Sequence, residues 1–149
     1  MALTLQKQQS ISLAKTAGSS LTSISLGLGW DPVKAGGFLG KMFGGGSEID
    51  LDASCILLNS DYQKIDLVWF RQLKSQDGSI KHSGDNRTGD GEGDDETINV
   101  DLQCLPASVK YLIFTVNSFT GQTFEKVEKA YCRVVNGSNN TEVARFNLS

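Results

Sequence analysis

Apolar residues recur at every second position in most of the segments that can form regular structure. In residues 49–58 every odd position from Ile49 to Leu57 is apolar, whereas Asp50 and Asp52 lie on the opposite side. This spacing is typical of a β-strand, whose successive side chains point to opposite faces. The same alternation, or a short apolar run between turn residues, predicts further strands at 3–5, 11–13, 24–28, 65–70, 97–102, 111–116, 131–135 and 143–148.

The helical signal is much weaker. Only residues 124–130 have the composition of a short helix, with Thr123 in the N-cap position. Many short strands separated by turn residues are typical of two packed sheets. The sequence therefore predicts an all-β fold, a β-sandwich of short, mostly antiparallel strands with at most one short helix, in a single domain over residues 1–149.

One segment, residues 84–96, is unusually acidic and rich in glycine. It holds six of the 17 acidic residues and one of the 14 basic residues, so the rest of the chain carries 11 acidic and 13 basic residues. Clustered carboxylates repel one another unless a cation offsets their charge. Hard oxygen ligands in a flexible, glycine-rich loop favour Ca²⁺. Because predicted strands flank the segment, we interpret it as a calcium-binding loop between two strands.

This loop is not an EF-hand. The twelve residues from Asp85 to Glu96 have the length of an EF-hand loop and its final glutamate. However, Arg87 and Gly89 stand where that loop needs oxygen side chains, and Asp90 replaces its glycine. The flanking segments also lack the two helices of an EF-hand.

Asp50 and Asp52 form a second acidic feature. Two side chains on the same face of a strand, two residues apart, are roughly 7 Å apart at the backbone. One interpretation is a solvent-facing edge of a half-buried strand. The other, which the neighbouring acidic loop favours, is that both carboxylates bind a cation.

Other sequence features exclude several classes of protein. The three cysteines, Cys55, Cys104 and Cys132, lie in apolar contexts and predict free, buried thiols in a reducing compartment. The single histidine, His82, argues against zinc and is interpreted as an ordinary strand-end residue. There is no basic patch for nucleic acid, no apolar run of about 20 residues for a membrane span and no visible secretory signal.

A glycine-rich insertion occupies residues 34–47. Its six glycines make it flexible, but Phe38, Leu39, Met42 and Phe43 are more apolar than a simple linker requires. Either these four side chains pack onto the sandwich, or residues 38–43 form a surface that binds a partner protein, a second copy of the chain or a membrane.

Several motifs together resemble the TerD family of bacterial tellurite-resistance and stress proteins. They are Gly-Leu-Gly-Trp-Asp at 27–31, Asp-Leu-Asp-Ala at 50–53 and the acidic loop at 84–96. The Pro-Val-Lys at 32–34, the glycine-rich insertion and residues 114–122 are most similar to the TerZ-type branch of that family. The resemblance extends over essentially the whole chain.

The resemblance implies a cytoplasmic β-sandwich that binds two Ca²⁺ ions and acts in tellurite, phage and colicin resistance. The implied partners are other Ter-type stress proteins, including membrane-anchored ones that would bring the protein to the inner face of the membrane. Family domains usually continue with further strands after residues 144–146, and an unpaired edge strand would favour self-association. The metal ligands implied are Asp50, Asp52, Asp85, Asn86, Gly89, Asp90, Gly91, Asp94, Asp95 and Glu96, with Asp31 at or beside the site.

Two functions follow from these observations. The first is a calcium-binding, non-enzymatic module of a stress response, with no catalytic residues. The alternative is a metal-dependent hydrolase that uses the acidic loop, because paired carboxylates and metal-bound water both support hydrolysis. The absence of a Ser/His/Asp or Cys/His set in the sequence favours the first function.

Overall fold

A computed structural model describes residues 3–13, 15, 21–31, 50–84, 94–118 and 128–148. Within them the regular structure consists of strands, apart from helical conformation at Leu13 and Lys15. They are β1 (Leu3–Thr4), β2 (Ser23–Asp31), β3 (Leu51–Leu58), β4 (Lys64–Val68), β5 (Ile80–His82), β6 (Glu96–Asp101), β7 (Tyr111–Ser118), β8 (Glu128–Asn136) and β9 (Thr141–Asn147). The glycine-rich insertion at 34–47 lies outside the described residues. No helix in the described part of the chain is long and apolar enough to cross a membrane.

The strands form two sheets. The larger sheet has the order β1-β9-β8-β2-β6-β5, and the smaller has the order β4-β3-β7. Every pairing is antiparallel except the short parallel contact between β1 and β9. The predicted all-β class with mostly antiparallel strands is therefore confirmed.

The core lies between the two sheets. Leu28 of β2 and Ile98 of β6 reach it from the larger sheet, and Leu57 of β3 reaches it from the smaller sheet; all three side chains have 0% exposure. Their alternation with polar residues is the pattern that predicted these strands. Each fully buried side chain of this size contributes about 1.5–3 kcal/mol to folding.

Some local predictions were wrong. Residues 11–13 do not form a strand: the chain turns near Gln8, which has a φ of 67°, and Leu13 is helical. Residues 128–130 belong to β8 rather than to a helix, since pairing with β2 begins at Glu128 and outweighs a weak helical preference. The first part of that predicted helix, residues 124–127, lies outside the described residues.

The prediction of three buried thiols was also wrong in one case. Cys55 is buried and Cys132 is half-buried, but Cys104 is exposed. Cys104 follows β6 in a turn, where its backbone N–H donates to the carbonyl of Asp101. A turn exposes a side chain that the apolar neighbours in sequence suggested would lie inside.

The loop after β4 carries the chain from the smaller sheet to β5 in the larger sheet. Asp66 holds this loop: its carboxylate accepts hydrogen bonds from the backbone of Leu67 and Gln76 and from the side chain of Gln72. Burial opposes ionisation of Asp66, but these hydrogen bonds outweigh it and lower the pKa of the carboxyl. Pairing of β4 with β3 ends at Val68, where this loop begins.

Leu57→Ala is expected to destabilise the protein by about 2–5 kcal/mol, because it removes a fully buried side chain and leaves a cavity. Leu73→Ala is the matched control, since the same change at a side chain that is 44% exposed should cost less than about 0.5 kcal/mol. Urea unfolding of both variants measures the difference. Similar losses in the two variants would contradict the assignment of the core.

Candidate metal centre

The site forms where β3 extends beyond its neighbour β4. The last pair of that ladder joins Cys55 to Val68, so the backbone of Ala53 lacks a strand on this side. Two side chains from the larger sheet take its place. The carboxylate of Glu96 accepts a hydrogen bond from the Ala53 N–H at 3.0 Å, and His82 Nε2 lies 3.1 Å from the Ala53 carbonyl oxygen.

Three carboxylates meet at this edge. Asp50 and Asp52 extend from the start of β3 and Glu96 from the start of β6, and each offers an oxygen within 4.8 Å of the other two. Their exposed fractions are 9%, 7% and 1%. The solvent-facing interpretation of Asp50 and Asp52 is therefore wrong, because both side chains are buried.

The donor set fits a hard cation. Two oxygens that bind one Ca²⁺ at about 2.3–2.6 Å cannot be more than about 5 Å apart, and the three carboxylates satisfy this limit. Buried like charges at such separations are costly without a compensating charge. Asp50, Asp52 and Glu96 are consequently the described residues that could hold a metal ion.

His82 takes part in this cluster, which the sequence did not reveal. Its Nδ1 accepts a hydrogen bond from the Gly84 N–H, so Nε2 carries the hydrogen and donates it to the Ala53 carbonyl. The same Nε2 lies 3.5 Å from the Glu96 carboxylate. Burial lowers the pKa of His82, but the contacts with Glu96 and Ala53 and the charge of Asp52 together outweigh burial and raise it. A lone histidine at a strand end carries no sequence signal for this contact.

Asp95 fixes the acidic loop to β2. Its carboxylate accepts a hydrogen bond from the Trp30 N–H at 2.9 Å, and its own N–H donates to the Leu28 carbonyl at 2.8 Å. Burial is the main cause that raises the pKa of Asp95 to about 6, and the charges of Asp31 and Asp94 add to it, whereas the Trp30 N–H lowers it.

Asp94 lies in a different environment from Glu96. Both of its oxygens accept hydrogen bonds from the guanidinium of Arg133, and Oδ1 also accepts one from the Tyr131 hydroxyl. A side chain at Gly27 would place its Cβ 2.4 Å from the Asp94 carboxyl carbon, and one at Gly29 would meet the Tyr131 ring at the same distance. Glycine at these two positions of β2 leaves room for this close approach.

The remaining predicted ligands are not part of the described cluster. Asp31 is 44% exposed at its side chain and lies 3.5 Å from the ammonium of Lys129. Five of the predicted ligands lie outside the described residues, so their roles stay predictions: Asp85, Asn86, Gly89, Asp90 and Gly91.

A cavity of about 340 Å³ opens beside Asp52. Its wall includes Trp69, Phe70, Arg71 and Asn117, and the Arg71 guanidinium lies over the Trp69 ring at 5.6 Å. A metal site needs a path by which the ion enters. Asp52 is among the residues that line this cavity.

Comparison with known proteins agrees with the fold and the motifs. The chain is 54% identical to the tellurium resistance protein TerZ of Serratia marcescens, over 99% of this chain and 75% of that protein. It is 43% identical to the stress response protein SCP2 of Bacillus subtilis (strain 168), over 99% of this chain and 78% of that protein. The crystal structure of a TerD homologue from Streptomyces coelicolor A3(2) has the same fold, with a TM-score of 0.68 at 24% identity over 85% of this chain and 71% of that one. The TerD domain profile matches residues 1–149, and the chain therefore belongs to the TerD family.

Proposed function

We propose that the protein is a calcium-binding, non-enzymatic module of a bacterial stress response. The observation that supports it is the buried set of Asp50, Asp52 and Glu96, whose oxygens lie within reach of one cation. The names of its relatives, tellurium resistance and stress response proteins, supply the biological setting. In this proposal the protein acts in the cytoplasm together with other Ter-type stress proteins, some of them membrane-anchored.

Calcium suits this site better than magnesium. Ca²⁺ accepts six to eight oxygen ligands at varied angles, whereas Mg²⁺ requires a nearly ideal octahedron and retains several waters. The three carboxylates come from two different sheets, so the packing of the sheets sets the directions of their oxygens. An ion that accepts varied ligand angles suits such a site better than one that requires an octahedron. A second Ca²⁺, which the resemblance implies, would draw its ligands from the loop at 85–93.

Two observations support a non-enzymatic role. Both ring nitrogens of His82 are engaged, Nδ1 by the Gly84 N–H and Nε2 by the Ala53 carbonyl, so this histidine is poorly placed to act as a general base. The thiols are also poor nucleophiles: burial raises the pKa of Cys55 to about 12, and a hydrogen bond with Asp101 raises that of Cys104.

Calcium is expected to stabilise the folded protein. At a hundredfold excess over the dissociation constant, binding to the folded state alone adds about 2.7 kcal/mol. Thermal unfolding of metal-stripped protein with and without Ca²⁺ measures this gain, and calorimetric titration gives the stoichiometry. Equal concentrations of Mg²⁺ should raise the melting temperature less. A melting temperature that does not respond to Ca²⁺ would contradict the proposal.

Asp50→Asn is expected to weaken Ca²⁺ binding at least about tenfold, or 1.4 kcal/mol, because it removes one of the three clustered charges without changing the size of the side chain. It should also leave the metal-free protein at least as stable as the parent, since it relieves repulsion between buried carboxylates. The matched control is Asp61→Asn, the same change at an exposed turn. If both variants weakened binding equally, the effect would be general electrostatics.

Asp94→Asn separates structural anchoring from metal binding. It weakens the paired hydrogen bonds to Arg133, so we expect a loss of about 1–3 kcal/mol in stability, both with and without Ca²⁺. Its Ca²⁺ affinity should fall less than that of Asp50→Asn. Urea unfolding and calorimetry on the same preparations give both quantities. A larger loss of affinity than in Asp50→Asn would show that Asp94 is a ligand.

A further inference from the structure

The chain makes a tight turn, residues 69–72, directly after β4. Trp69 and Gln72 exchange two backbone hydrogen bonds across this turn, of 3.1 and 3.0 Å. The Gln72 side chain also donates to the Asp66 carboxylate at 2.8 Å and to the Leu67 carbonyl at 2.9 Å. These bonds tie the turn to β4, so it holds a defined place at the end of the smaller sheet.

Three side chains of this turn line the cavity of about 340 Å³ beside Asp52. Trp69 and Phe70 are half-buried and meet edge to face, with ring centroids 5.0 Å apart. The Arg71 guanidinium lies over both rings, 5.6 Å from one and 5.7 Å from the other. Arg71 is exposed, and none of the ion pairs in the described part of the chain includes it. The cavity wall therefore presents two aromatic rings and a positive charge that no described carboxylate pairs with.

The other residues that line the cavity come from β3 and β7. Asn117 of β7 lies directly opposite Asp52 of β3 in the ladder, and Ala53 and Ser54 follow Asp52 in β3. A cavity of roughly 300–1,000 Å³ with aromatic walls and a few polar groups is the usual form of a small-molecule site. Because Asp52 belongs to both, this cavity adjoins the candidate metal centre.

The charges around the cavity decide which class of ligand fits. A guanidinium binds carboxylate and phosphate groups through paired hydrogen bonds, so Arg71 favours an anion. The carboxylates of Asp50, Asp52 and Glu96 repel an anion as long as their charge is uncompensated. A bound divalent cation is often the largest local charge in a site and reverses this effect. An anion in this cavity consequently needs the cation beside it.

We propose that the cavity binds a small organic anion when the metal centre is loaded. Its carboxylate or phosphate group lies between Arg71 and the metal centre, and its planar part packs against Trp69 and Phe70. This inference rests on the calcium binding proposed above. Because coupling between two sites is reciprocal, the anion raises the affinity for Ca²⁺ by the same factor as Ca²⁺ raises the affinity for the anion. The protein is then a calcium-dependent receptor for a small molecule.

The first test is calorimetric titration of the full chain with benzoate and with phenyl phosphate, in saturating Ca²⁺ and after removal of metal with a chelator. The two compounds share a ring, so they distinguish a carboxylate from a phosphate as the preferred group. At least one should bind, and at least about tenfold more tightly with Ca²⁺ than without it. Benzyl alcohol, which has the ring but no charge, should bind at least about tenfold more weakly than the preferred anion. Inorganic phosphate, which lacks the ring, should bind more weakly than phenyl phosphate.

The second test changes the side chains of the turn. Arg71→Gln should weaken anion binding about tenfold and leave the Ca²⁺ affinity, measured without the anion, unchanged. The matched control is Lys74→Gln, which removes the same charge from an exposed side chain of the same loop that does not line the cavity. Trp69→Leu should weaken the binding of the phenyl compounds but not that of inorganic phosphate.

The outcomes separate the anion site from the metal centre. If Ca²⁺ itself does not bind, the metal centre is wrong and the anion site falls with it. If Ca²⁺ binds, three results overturn the anion site alone. They are no binding of either anion, equal binding with and without Ca²⁺, and equal effects of Arg71→Gln and Lys74→Gln. Inorganic phosphate that binds as tightly as phenyl phosphate would contradict the role of the two rings.

Discussion

A buried carboxylate joins the two sheets of this protein. Glu96 begins β6 in the larger sheet, and its side chain, in a residue only 1% exposed, accepts a hydrogen bond from the backbone of Ala53 in the smaller sheet. Burying a carboxylate costs several kcal/mol unless hydrogen bonds and a compensating charge offset it. The hydrogen bond supplies one part, and the position beside Asp50 and Asp52 makes a cation the natural source of the other. The cation binding proposed above would therefore be linked to sheet packing through one side chain.

Three consecutive acids enter three environments, which composition does not predict. The sequence treated Asp94, Asp95 and Glu96 alike, as ligands in one acidic loop. In the structure Glu96 turns to the core, Asp95 accepts a backbone hydrogen bond from β2, and Asp94 forms an ion pair with Arg133. The hydrogen-bond and ion-pair partners of these three acids come from strands that are distant in the sequence. The density of acidic residues therefore predicts where the site lies, whereas tertiary contacts determine the role of each residue. Asp94 can lie as it does because Gly27 leaves room for it.

Most of the fold was predictable because its strands alternate in polarity. The long strands, with side chains such as Leu28 and Leu57 facing the core, follow the period-two pattern closely. The misses are short or depend on distant pairing: β5 has three residues, too few to show a period, and β8 begins at Glu128 because β2 pairs there. His82 and Ala53 meet across 29 positions, a contact that no local pattern encodes.

The smaller sheet illustrates a single requirement met in different ways. Every N–H and C=O at a sheet edge needs a partner or contact with water, and an exposed edge also invites unwanted pairing. Beyond Val68 the edge of β3 is closed by the side chains of Glu96 and His82, and the same closure brings the carboxylates together. The edge of β4 carries charged residues that discourage pairing. The β3 and β4 edges therefore meet the same requirement differently, by side-chain hydrogen bonds at β3 and by charged residues at β4.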